Sequence, residues 1–138
     1  MASSPLKIGY CLSLSGALAS NGKTAQLAHQ IWRENVNKNG GFLGRPVDLI
    51  CLDDQTNPNL VADIYRRLID VEKVDVVVGG YGDNSVAPAM PLIMERKKFF
   101  LGLMALAVNA KSLKYWRAKP DRPFHSRQRL GTHWPPKP

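Results

Sequence analysis

The chain has 138 residues, enough for one modest hydrophobic core, so one folded domain is the expectation. Its formal net charge of +8 is unevenly placed: residues 1–110 carry 11 Lys or Arg against 10 Asp or Glu, whereas residues 111–138 carry 8 Lys or Arg and the single acid Asp121. The basic balance belongs to the tail, so it gives no support to a nucleic-acid or acidic-lipid surface on the domain, and no apolar run approaches the ~20 residues of a membrane span.

The start, Met1 to Pro5, has neither the basic nor the apolar segment of a secretory signal. Lys7 to Leu14 reads as a strand, followed by a small polar loop from Ser15 to Gly22. A helix is expected from about Gly22 to Lys38, with Leu27, Ala28, Ile31, Trp32 and Val36 on one stripe facing the core. Asn39-Gly40-Gly41 supplies positive-φ residues that end this helix, and Gly44 and Pro46 build the reversal after it. Val47 to Leu52 is an apolar strand of the kind buried on both faces, and it stops at Asp53-Asp54.

Asn57-Pro58 opens the next helix, since Asn caps free amides and Pro suits the first helical position. Leu60, Ile64, Leu68 and Val71 form its apolar stripe. Val74 to Val78 is a short β-branched strand, and Gly79 to Ser85 is a loop. Asn84 or Ser85 is expected to cap a helix running to about Lys97, bent at Pro91. Phe99 to Leu103 is the fourth strand. The alternation gives an α/β fold: a doubly wound, mainly parallel sheet with helices on both faces.

Residues 1–110 form the expected domain and residues 111–138 a basic, Pro-rich tail. The tail holds Pro120, Pro123, Pro135, Pro136 and Pro138 and has no apolar periodicity, so disorder is expected. Tyr115, Trp116 and Trp134 among basic residues suit base stacking, but no nucleic acid is expected as a partner. The abrupt shift to Arg, Pro, His and Trp is also what a frameshifted reading would produce.

Cys11 and Cys51 fall on neighbouring strands and read as small buried residues; a disulfide requires that they share a sheet face. Loops leaving the strand C-termini of such a sheet line one crevice, where ligands bind. Two of them lead into helix N-termini, at Gly22 and Ser85, whose amides favour an oxygen-rich group. Enzyme signatures are missing: there is no GxGxxG after the first strand, and Gly22-Lys23-Thr24 lacks the upstream glycine of a phosphate loop. His29, His125 and His133 have no triad or metal partner at a readable spacing, so no catalytic residue, metal or cofactor is expected. Asp53 and Asp54 leave open a second reading, a stand-alone flavodoxin-like ligand-binding or receiver module using Mg²⁺.

Five segments, in order, carry a resemblance. They are Leu6-Lys7-Ile8-Gly9, Leu14-Ser15-Gly16, Asn39-Gly40-Gly41-Phe42-Leu43-Gly44-Arg45-Pro46, Asp53-Asp54-Gln55-Thr56-Asn57-Pro58 and Val74-Asp75-Val76-Val77-Val78-Gly79-Gly80. Over roughly residues 5–109 they resemble the first lobe of a type I periplasmic solute-binding protein of the branched-chain amino acid and amide group. The resemblance implies the substrate-binding component of an ABC importer, here a truncated single lobe, with a permease as partner and a periplasmic location. Without a signal segment, retention in the cytoplasm stays open. By position, the resemblance implies ligand contacts from Asn21, from Tyr81, Gly82, Asp83 and Asn84, and from Met104, Ala105 and Leu106. Asp83 stands where the family's amino-acid binders have a small hydroxyl residue, and Leu106 falls near another such position, so an amide, urea-like or neutral ligand remains open beside an amino acid. A lone lobe is expected to bind weakly and to self-associate.

Overall fold

The structure, a computed structural model, describes residues 4–103. They fold as β1 (Leu6–Leu12), α1 (Ala19–Lys38), β2 (Val47–Asp53), α2 (Pro58–Asp70), β3 (Val76–Tyr81), α3 (Asp83–Val86), α4 (Met90–Glu95) and β4 (Phe100–Leu103). The four strands form one parallel sheet in the order β2-β1-β3-β4. The chain therefore winds outward from β1 in both directions, the doubly wound α/β arrangement expected of alternating strands and helices. All described residues belong to the contact-defined unit Met1–Val108; the expected tail lies outside them.

One face of the sheet carries the main core. Cys11 and Val77 meet Val61, Tyr65, Leu68 and Ile69 of α2 and Leu92 and Ile93 of α4. Asn57 caps α2 through its side chain, which accepts from the Asn59 amide at 3.0 Å, and Pro58 takes the first helical position. The Tyr65 hydroxyl reaches the backbone of β3 to donate to the Val78 carbonyl at 2.7 Å, satisfying its polar end inside the core. On the other face, Leu6, Ile8 and Val47 pack with Leu49, Val76, Val78 and Val36 of α1. Asn37 locks the end of α1 to the start of β2, donating to the Val47 carbonyl and accepting from its amide.

Several boundaries differ from the sequence reading. β3 begins at Val76 and extends through Gly80 to Tyr81, and the Asp75 amide just before it already donates to the Lys7 carbonyl of β1. The single helix expected from Ser85 to Lys97 is two short ones, α3 and α4. Pro88 and Pro91 remove two amide donors in that stretch, so the ladder breaks between them rather than bending once. The α1 stripe is the largest departure: Leu27, Ile31 and Trp32 are 56%, 59% and 41% exposed. This side of the sheet is only partly covered. A trough of about 340 Å³ remains there, lined by Tyr10, His29, Trp32, Val78, Phe99 and Leu101 among others.

The cysteines lie on opposite faces. Register pairs Tyr10 with Cys51 and Cys11 with Leu52, so Cys11 points to α2 while Cys51 shares the face of Tyr10. Both are free thiols, and this geometry rules out a disulfide between them.

Candidate functional site

The loops after β1, β2 and β3 leave the same end of the parallel sheet and converge there. Asp53 and Asp54 stand at the centre of their junction. Asp53 Oδ1 accepts from the amides of Leu14 (2.8 Å), Ser15 (3.3 Å) and Gln55 (2.8 Å), and its Oδ2 accepts from the Ser15 hydroxyl at 2.7 Å. Its small burial favours the neutral form, but the Ser15 hydroxyl and the three amides outweigh it and hold the carboxyl below the usual carboxylate range.

Asp54 is 1% exposed. Its Oδ1 accepts from the Ser13 hydroxyl at 2.5 Å and the Thr56 amide at 2.9 Å, and its Oδ2 accepts from the Ser85 hydroxyl at 3.0 Å. Gly80 makes that last contact possible: a Cβ there would lie 2.5 Å from Ser85 Cβ. Gln55 and Thr56 both hold left-handed backbone, at φ 55° and 60°, which is uncommon for residues with side chains. Each amide is caught by the carboxylate two residues earlier, an Asx-turn pattern that holds the loop in this conformation. Thr56 Oγ1 also donates to the Ser15 carbonyl and accepts from the Leu18 amide, joining the second loop to the start of α1.

The acids are therefore consumed in holding loops together. Among the described residues no group of three His, Cys, Asp or Glu side chains is placed to hold a metal ion. The receiver reading would need Asp53 or Asp54 to be turned toward Mg²⁺ and phosphate, whereas their oxygens already face seven donors from their own and the two neighbouring loops.

Asn21 lies exposed in the first turn of α1. Tyr81 closes β3, Gly82 follows at φ 88°, and Asp83 and Asn84 open α3. Tyr81, Gly82 and Asp83 are half-buried and Asn84 is exposed. Met104, Ala105 and Leu106 lie outside the described residues. The helix starts expected at Gly22 and Ser85 fall instead at Ala19 and Asp83. Neither Leu18 nor Gly82, the capping residues, makes a side-chain cap, and Ser85 spends its hydroxyl on Asp54. With only four residues, α3 has little dipole to offer an anion, so the electrostatic argument applies to α1 alone. Ser13 and Thr56 were not singled out from the sequence, and Ser85 was read as a helix cap and helix N-terminus rather than as a partner of Asp54. Asp54 with Thr56 two residues on has the spacing of an Asx turn, but no local spacing signals the bonds to Ser13 and Ser85.

An open parallel sheet with its loops gathered at one end defines a ligand-binding α/β lobe. Its sequence matches the profile of the family described as "Periplasmic binding protein" over residues 5–122, and the chain belongs to that family. The match passes Ala110, where the resemblance was expected to end. A curated relative, the Leu/Ile/Val-binding protein homolog 7 of Brucella melitensis, is 29% identical over 122 residues, which are 86% of this chain and 30% of the relative. Among solved structures, the branched-chain amino acid transporter substrate-binding protein LivJ of Streptococcus pneumoniae, in complex with isoleucine, superposes with a TM-score of 0.70. It is 25% identical, over 73% of this chain and 29% of LivJ. A solute-binding protein of an ABC transporter from Rhodopseudomonas palustris, in complex with 3,4-dihydroxybenzoic acid, gives a TM-score of 0.65. It too is 25% identical, over 74% of this chain and 27% of that one. The chain spans less than a third of the length of these relatives.

Proposed function

We propose that these residues form one lobe of the substrate-binding component of an ABC importer for branched-chain amino acids or related small amides. The observation that carries the reading is the convergence of three strand-end loops in a sheet whose relatives hold isoleucine and 3,4-dihydroxybenzoate. In this reading Asn21 forms a wall of the cleft. Tyr81 contributes an aromatic face and a hydroxyl, and Gly82, Asp83 and Asn84 supply the edge that meets the ligand's polar head. Met104, Ala105 and Leu106 complete the same edge by position.

Binding is noncovalent, by closure of two lobes over the ligand and docking of the closed form on a permease in the periplasm. One lobe makes only part of the contacts. Losing two charge-assisted hydrogen bonds, each worth about 1.5–3 kcal/mol, weakens binding by a factor on the order of 10² to 10⁴. The 138-residue chain is therefore expected to bind isoleucine, or a neutral analogue such as isobutyramide, only at millimolar concentration. Titration of the ¹⁵N-labelled chain with each compound tests this. Saturable shifts at residues 81–84 and Asn21 support the reading; shifts scattered elsewhere, or none at tens of millimolar, sink it.

A further inference from the structure

Asp54 is buried among three loops that belong to three different strands. Ser13 follows β1, Asp54 and Thr56 follow β2, and Ser85 lies in α3 after β3. None of the ion pairs among the described residues includes Asp54. A buried carboxyl group without a counter-charge is costly unless its lone pairs are used, and here two hydroxyls and one amide use them. The first two loops have other ties, through Asp53 and Thr56. The third joins through the Ser85 hydroxyl, three residues beyond Gly82 and adjacent to Asn84. Gly80 has no side chain to keep Ser85 away, so the strand end and the hydroxyl close on the same carboxyl.

We infer that Asp54 is a positioning residue: through Ser13 and Ser85 it fixes the spacing between the loop after β1 and the 81–84 edge, without touching ligand itself. This rests on the reading of that edge as ligand-binding, but the coupling between loops is measurable without a ligand. An apolar side chain in this place would serve the stability of the fold about as well as a buried acid tied to two hydroxyls. The polar junction at the ligand end of the sheet is therefore best understood as setting a distance across the cleft floor.

The test is native-state amide hydrogen exchange on the ¹⁵N-labelled 138-residue chain, comparing wild type with Ser85→Ala and, separately, Ser13→Ala. In Ser85→Ala the Thr56 and Leu14 amides, on the two other loops, should exchange about tenfold faster, while core amides such as Val77 keep their rates. In Ser13→Ala the Val86 amide, which donates to the Gly82 carbonyl, should accelerate in the same way. Acceleration confined to the mutated loop, or a uniform rise that includes Val77, overturns the inference. The second of these outcomes marks a simple loss of stability. Adding isoleucine separates the two claims. If it moves no amide of the wild type, the ligand reading fails while the exchange result still decides the coupling. If it shifts residues 82–84 in the wild type equally in Ser85→Ala, the positioning role fails and the ligand reading stands.

Discussion

Gly22→Ala sets two known effects against each other. Gly22 is inside α1, and in an exposed helix interior Ala is better than Gly by about 1 kcal/mol. Here, however, the helix runs hard against the end of β1. A Cβ on Gly22 would lie 2.0 Å from the Ser13 carbonyl oxygen and 2.6 Å from its carbonyl carbon. The obstacle is backbone, so no side chain can swing aside. Ordinary contact begins at 3.4 Å, and α1 would have to retreat by about 1.4 Å. That retreat pulls on the Leu18 amide bond to Thr56 Oγ1 and on Ser13, whose hydroxyl holds Asp54. Overpacking of this kind costs about 1–3 kcal/mol, and a rigid obstacle places it at the upper end. After the propensity gain, the net loss is about 2 kcal/mol, which with a urea slope near 1.5 kcal/mol/M lowers the unfolding midpoint by about 1.3 M. Urea titration followed by circular dichroism measures it, with Ser20→Ala, at an exposed position in the same turn, as the control. A midpoint equal to or above wild type would show that propensity wins and that α1 is not seated on β1 as described.

Burial pushes the Cys51 thiol up to about 11 and the Cys11 thiol up to about 12, so at pH 8 both should react with a thiol reagent more than about 100-fold more slowly than in urea-unfolded chain; fast labelling of Cys51 would mean that its face is open. Burial lowers the pKa of His29, whose Nδ1 has no hydrogen-bond partner and whose ring packs edge-on against Tyr10 at 4.6 Å. The unfolded chain then binds a proton below about pH 6.5 that the folded chain refuses, so stability should rise with pH up to that value, and His29→Leu should remove this slope from a series of urea titrations. Asp83→Ser should tighten isoleucine binding by about fivefold, the relief of roughly 1 kcal/mol of repulsion between carboxylates some 6 Å apart, and leave isobutyramide unchanged; equal changes for both ligands, or weaker isoleucine binding, would remove Asp83 from the polar-head position. The trough beside α1 exposes Phe99, before β4, and Leu101, within it; β4 is one of the two edge strands of the described sheet, and a second copy of the chain offers the same strand and apolar strip. Sedimentation should show concentration-dependent association, reduced by Leu101→Lys; a monomer at all concentrations contradicts it.

The parallel sheet was legible because its signals are local. A mostly apolar run marks β2 and a β-branched run β3, Asn57-Pro58 starts α2, and Gly40 and Gly41, at φ 93° and 85°, end α1 as their type suggests. The α1 stripe was misjudged for the opposite reason. Periodicity shows that Leu27, Ile31 and Trp32 share a face, but only the lateral placement of α1 decides whether the sheet reaches under it. Pro91 was read as a bend, and the removal of a second donor by Pro88 turns that bend into a break.

The acids after β2 show most clearly where sequence reasoning stops. Asp53-Asp54 at a strand end is the pattern of a cation or phosphoryl site, and the same pattern also serves a loop that must turn sharply. What separates the two is the number of donors that reach the oxygens. Asp53 takes four and Asp54 three, all from their own and neighbouring loops, so little lone-pair capacity remains for a metal. Two of those donors, Ser13 and Ser85, stand 41 and 31 residues from Asp54, and no local pattern connects them. A hydroxyl near a strand end is common, and its partner is chosen by topology: β1 and β3 are neighbours in the sheet, with β2 on the far side of β1. A solute-binding lobe has reason to use its acids this way. In the proposed role binding is noncovalent, and affinity would depend on loops from separate strands keeping fixed distances, because binding through unconstrained loops loses ordering entropy with every contact made.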